Sequence, residues 1–246
     1  MEKSVRKILM EMTLAKYRDS NMKDYSISIN QFAEFKYATD GQKRTIIKQQ
    51  INPNKLKIAW YQLPKSRVKN CLKNKCDLDT IQDGINILSN RKYSEKRKES
   101  NRIVSLEALQ RFININMPDI LKKYDFSIVK PIKKSTFLSG IDITVAPDLI
   151  VTGIINGEKV VGGIKIHIVK NKPFDIIQSK IVANVLSKYL KQEIADESTI
   201  VLPELCFCID IFNGNFVQSK ASKFIDKQIE EICLEVKKTW DKLLAA

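Results

Sequence analysis

The sequence predicts a mixed α+β or α/β fold, a central mixed sheet flanked by helices and preceded by a basic helical region. Three observations carry this. Up to about residue 124, apolar residues recur at helical spacing. Beyond it, β-branched runs with period-two alternation take over. Two Asn-Gly pairs, Asn156-Gly157 and Asn213-Gly214, stand between apolar runs as hairpin turns do.

Residues 2–18 read as an amphipathic, mixed-charge segment with Val5, Ile8, Leu9, Met12 and Leu14 on its apolar side. Ser28 is placed to cap a short helix holding Phe32, Phe35 and Tyr37, and Asp40 to cap a second over 42–50. Asn52-Pro53-Asn54 breaks the pattern, and residues 55–74 resume it with a kink expected at Pro64. Asp77 and Asp83-Gly84 bracket a weaker segment. Residues 91–102 (RKYSEKRKESNR) are nearly devoid of apolar side chains and read as an exposed linker. A basic helical domain is therefore expected over 1–104 and an α/β domain over 105–246.

In the second region Ser105 is expected to cap a helix of about twenty residues, interrupted near Pro118. Strands follow at 125–133, 140–146, 148–155 and 159–170. A helix over 174–190 is expected to bury Ile176, Ile177, Ile181, Val182, Val185, Leu186 and Leu190, and a strand over 199–211 turns into a short return strand. The C-terminal helix, within 219–244, repeats Ile225, Ile229, Ile232, Val236, Trp240 and Leu243 at spacings of 4, 3, 4, 4 and 3.

Charge and counts narrow the function. Lys and Arg number 42 against 28 Asp and Glu, a formal net charge of +14. The surplus is uneven: residues 1–130 carry 27 basic and 14 acidic side chains, residues 131–246 carry 15 and 14. A basic front half suits a polyanionic partner, nucleic acid first and DNA ahead of RNA, with other protein subunits also open. Phosphate contacts are expected from Lys55, Lys57, Lys65 and Arg67, and from Arg91, Lys92, Lys96, Arg97 and Lys98. Trp60 and Tyr61 stand among the first group, either as stacking surfaces or as core. His167 is the only histidine, which excludes sites built on two imidazoles. Five cysteines without a CxxC pair indicate reduced thiols and a cytoplasmic setting. Glycine-rich phosphate loops are absent, so no nucleotide cofactor is expected. No run approaches the ~18 apolar residues of a membrane span, and Met-Glu-Lys-Ser-Val-Arg opens without an apolar leader, so no membrane partner is expected.

Residues 139–170 carry the candidate chemistry. Period-two geometry puts Ile164, Ile166 and Ile168 on one strand face and Gly163, Lys165, His167 and Val169 on the other. Lys165 then points toward a site that Asp148 can reach from the partner strand. His167 is a candidate phosphate donor or water-positioning group. On a later strand Cys206, Cys208 and Asp210 share a face, the thiols as core filling and Asp210 as a hydrogen-bonded residue ahead of the Asn213-Gly214 turn.

Pro147-Asp148, a hairpin and then Lys165 resemble the motif of the PD-(D/E)xK nuclease superfamily, over about half the chain (105–212). The resemblance implies a restriction-endonuclease-like core of a helix, three or four strands, a helix and a strand. It also implies Mg²⁺- or Mn²⁺-dependent phosphodiester hydrolysis, with Asp148 as metal ligand and Lys165 as catalytic lysine. It departs at one position: two residues before the lysine, where the family has Asp or Glu, stands Gly163. Relatives that relocate this acid direct attention to Glu158, Asp142 and Glu107. Gln178 falls where some exonuclease-like members place a glutamine, with Val182 in place of their aromatic residue. The alternative is a pseudo-nuclease that binds DNA or a partner without cutting, because a single Asp rarely holds Mg²⁺.

Overall fold

The computed structural model describes residues 25–53 and 60–245. The segment expected as a helix at 2–18, and the candidates Lys55 and Lys57, lie outside these.

Strand β1 (Ser26–Ser28) leads into helix α1 (Ile29–Phe35), whose N-cap is Ser28 as expected. Helix α2 (Asp40–Ile51) is capped by Thr39 rather than Asp40. The Thr39 hydroxyl accepts from the Gln42 backbone while the Gln42 side chain accepts from the Thr39 backbone, and Asp40 falls into the first turn, where a negative charge suits the helix dipole. Helix α3 (Gln62–Lys73) has Pro64 in its first turn, a position proline tolerates, so the expected kink does not arise. Helix α4 (Asp79–Asn90) packs on α5 (Lys96–Ile113), followed by α6 (Asp119–Lys123).

Helix α5 corrects the linker expectation. Residues 96–102 form its first turns, Ser105 is buried inside it, and the line drawn at 104/105 falls within it. The cause is Arg102, which donates to the Leu88 carbonyl at the end of α4 and to both Glu99 carboxylate oxygens. Two to three turns later Ala108, Leu109 and Phe112 are buried. Gly84 permits the approach, since a Cβ there would meet Leu109 Cδ1 at 2.8 Å.

Then come β2 (Ser127–Val129), β3 (Ser135–Leu138), β4 (Ile141–Thr144), β5 (Leu149–Ile155), β6 (Glu158–His167), α7 (Ile176–Glu193), β7 (Thr199–Asp210), β8 (Asn215–Gln218) and α8 (Lys223–Leu244). The main sheet runs β2-β5-β6-β7-β8, with β6 and β7 parallel across α7 and the other neighbours antiparallel. The expected strand at 125–133 shrinks to three residues. The expected strand at 140–146 leaves the main sheet and pairs with β1 and β3 in a second one. Ile176, expected on the buried side of α7, is its first residue and is exposed. Both Asn-Gly turns form. Asn156 and Gly157 have φ of 52° and 83°, the two left-handed positions of a tight hairpin.

Two apolar clusters sandwich the main sheet. One joins α1, α2, the second sheet, α7 and α8 to Val161, Cys206 and Cys208. The other joins α3–α6 to Ile164, Ile166, Ile168, Phe207 and Ile209. The alternation read from the sequence therefore holds, each fully buried aliphatic side chain contributing roughly 1.5–3 kcal/mol. Front-half helices and sheet share both cores. Among the described residues no helix is long and apolar enough to cross a membrane.

Candidate functional site

The site lies where β5 begins and β6 ends. The backbone N–H of Asp148 donates to Ile164 O at 2.9 Å, and its carboxylate Oδ2 accepts from the Ile166 N–H at 2.8 Å. The other oxygen, Oδ1, pairs with Lys65 Nζ of α3 at 2.8 Å. The Asp148 side chain is 7% exposed, so this ion pair is largely withdrawn from water on the carboxylate side. Lys165 is also 7% exposed. Its ammonium donates to the carbonyls of Val145 at 2.9 Å and Ala146 at 2.8 Å, and Ala146 has a left-handed φ of 39° at this turn. Burial pushes the Lys165 pKa down; the Asp148 carboxylate opposes this, and the charges of Lys65 and Lys69 add to it. Asp148 is thus paired with Lys65, and Lys165 feels the charges of Asp148, Lys65 and Lys69.

His167 follows on the same face, 1% exposed and stacked on Phe174 with ring centroids 3.6 Å apart. Its Nε2 lies 2.9 Å from the Lys172 carbonyl, which requires the Nε2–H tautomer, and Nδ1 is buried without a partner among the described residues. Burial pushes its pKa down to about 4. Asp210, opposite His167 on β7, accepts from the backbones of Phe174 and Asn213, each at 2.7 Å. It is the turn-holding residue the sequence suggested. Its carboxylate Oδ2 lies 3.8 Å from His167 Nε2, and burial raises its pKa.

The sign of the His167 effect follows from its lowered pKa. An unfolded chain binds a proton near pH 6.5, whereas the folded chain resists until about pH 4. Its contribution is intact above pH 6.5 and is lost as pH falls toward 4, by about 3 kcal/mol in all. Urea unfolding at pH 7 and pH 4.5 will show a larger acid loss for the native protein than for His167→Gln. The comparison cancels the titration of distant carboxylates. Equal losses would refute the assignment.

The candidate second acids do not join Asp148. Glu158 opens β6 opposite Ile155, at the far end of the hairpin, about 23 Å along the strand. Asp142 belongs to the second sheet, opposite Ser26 and Phe137. Glu107 is engaged by Lys170 at 2.6 Å and Arg111 at 2.9 Å. At position 163 a Cβ would meet Leu186 and Leu190 methyls of α7 at 3.1 Å, so the place of the family's second acid is filled by leucine. Gln178 forms a capping box with Asp175 and donates to Ala33 O, and the structure gives it no bond to Lys165. Among the described residues no three His, Cys, Asp or Glu side chains converge. Mg²⁺ wants octahedral oxygen ligands including one or two carboxylates. Asp148 brings one carboxylate, and it already holds an ammonium and a backbone N–H.

Of the expected phosphate contacts, Arg91, Lys92, Lys96, Arg97 and Lys98 are exposed, with Lys98 paired to Glu95 at 2.8 Å. Arg67 packs its Cγ beside Gly84, and Lys65 is committed to Asp148. Lys69 belongs to the same basic group of the sequence as Lys65 and Arg67, around Trp60 and Tyr61. Its four-residue spacing from Lys65 places both on one side of α3, a signal that says nothing of what that side faces. Comparison with protein-family models, with curated proteins and with solved structures returns no match for this chain.

Proposed function

We propose that this protein binds nucleic acid, DNA foremost, through a restriction-endonuclease-like core that does not cut: a pseudo-nuclease. The order α5, β2, β5, β6, α7, β7, with β6 parallel to β7, supports the core. The Lys65–Asp148 ion pair carries the functional reading. An ammonium supplies at Asp148 the positive charge that a divalent ion supplies in a cutting enzyme. With Lys69 and Lys165 it leaves this end of the sheet cationic, which attracts phosphate without a metal.

Binding to duplex DNA is expected to be equal in EDTA and in Mg²⁺. It should weaken with salt, the slope of log affinity against log salt being about −0.9 per phosphate contacted. Supercoiled plasmid should stay intact in Mg²⁺ and in Mn²⁺. A second reading, metal-dependent cleavage, draws on Asp148 and Lys165 lying within electrostatic reach of each other where the superfamily motif has them. Nicking that vanishes in Asp148→Ala would establish that reading and end the first. No binding at low salt would end both.

A further inference from the structure

A cavity of about 330 Å³ opens between α3, α4 and α5, away from the Asp148 cluster. Leu63 lines it, and Lys65 stands two residues on, about 200° around the helix. Its volume falls in the roughly 300–1,000 Å³ range of small-molecule sites.

The lining is ordered by chemistry. Leu63 and Leu88 make an apolar wall, and Tyr93, 37% exposed, offers a reachable ring face. Asn101 brings an amide, Arg91 brings an exposed cation, and Lys98 brings a second whose ammonium is shared with Glu95 at 2.8 Å. Arg102 is held by Glu99 and by the Leu88 carbonyl, so that wall is set before any ligand arrives. A flat ring with polar edges, joined to a dianionic or diester group, matches this combination. Bases stack on aromatic faces irrespective of sequence, and Arg and Lys take the phosphate.

We propose that this cavity binds one nucleoside monophosphate unit, its base against Tyr93, Leu63 and Leu88 and its phosphate on Arg91 and Lys98. The same unit occurs as a free nucleotide and within a single strand. The proposal rests on the nucleic-acid-binding reading and gives it a place where one nucleotide is held.

Trp60 makes the test direct. It is 38% exposed and adjoins Tyr61, whose backbone N–H donates to Asn101 Oδ1 in the cavity wall, while the other tryptophan, Trp240, is buried on α8. Adenosine monophosphate and an oligodeoxyadenylate are titrated separately into the full chain, read by tryptophan emission and by calorimetry. Saturable binding is expected, weakened at least tenfold in both Tyr93→Ala and Arg91→Glu. Both residues are exposed, and an unchanged thermal midpoint verifies folding. Binding of the mononucleotide assigns a free nucleotide, whereas binding of the oligomer alone assigns a strand. If neither binds, or if both variants bind as the native chain does, the cavity proposal falls. Duplex binding by the native chain would then still uphold the function. Mononucleotide binding without any DNA binding would uphold the cavity and remove the function.

Discussion

Gly162→Ala is expected to lower stability by at least about 4 kcal/mol. In a chain of this size that is a fall in melting temperature of roughly 8–16 °C. A Cβ at 162 would lie 2.2 Å from Leu205 Cβ, 2.6 Å from its carbonyl oxygen and 2.9 Å from its carbonyl carbon. Overpacking ordinarily costs about 1–3 kcal/mol, because a neighbouring side chain can turn aside. Here much of the obstacle is backbone. Register shifts between Val161 and Gly163 against β7, so Leu205 is pressed onto the glycine. On its other edge β7 is held by β8 through Phe207–Gln218 and Cys208–Val217. Neither strand can retreat without breaking a ladder. Thermal unfolding followed by circular dichroism checks this, and a fall below 2 °C would contradict it.

Gly163→Asp introduces the residue type that the resembled superfamily carries two positions before its lysine, and it is expected to cost about 3–5 kcal/mol while conferring no cleavage. The new carboxylate would enter the contact with Leu186 and Leu190, where a Cβ alone already lies at 3.1 Å. A buried charge without a partner costs several kcal/mol. Gly163→Ala separates the two effects: it meets the same leucines without a charge, so the Asp–Ala difference reads desolvation. Urea unfolding of the pair measures it. A Gly163→Asp protein of native stability that nicks plasmid in Mg²⁺ would show that the acid was merely missing and the site otherwise ready.

Neighbouring glycines on β6 thus do different work, and only one was conspicuous in the sequence. Gly163 stood out as a departure from a motif; Gly162 had no signal, because what it accommodates is a β7 residue 43 positions away. The same divide runs through the fold. The Asn156-Gly157 hairpin, α7, α8 and the long β7 were legible because turn preference and apolar periodicity are written within a dozen residues. The second sheet was not. Its strands are three and four residues long, and β1 pairs with β4 across more than a hundred residues. The first turns of α5, before Ser105, were hidden in a charge run because Arg102 there is also secured by a carbonyl of another helix.

What the sequence determined by itself is local. The pleat obliges Lys165 and His167 to share a face opposite three isoleucines, wherever that strand lies. The Asn213-Gly214 turn made Asp210 a residue for backbone amides. The tertiary structure alone decided what that shared face meets. Leu186 and Leu190 of α7 occupy the place of a second acid, and Lys65 of α3 brings its ammonium to Asp148. Alternation is a property of one strand's backbone, whereas a site's charge balance belongs to the segments folded against it. The helices that cover the two faces of β6 therefore decide that Gly163 meets two leucines and that Asp148 meets a lysine.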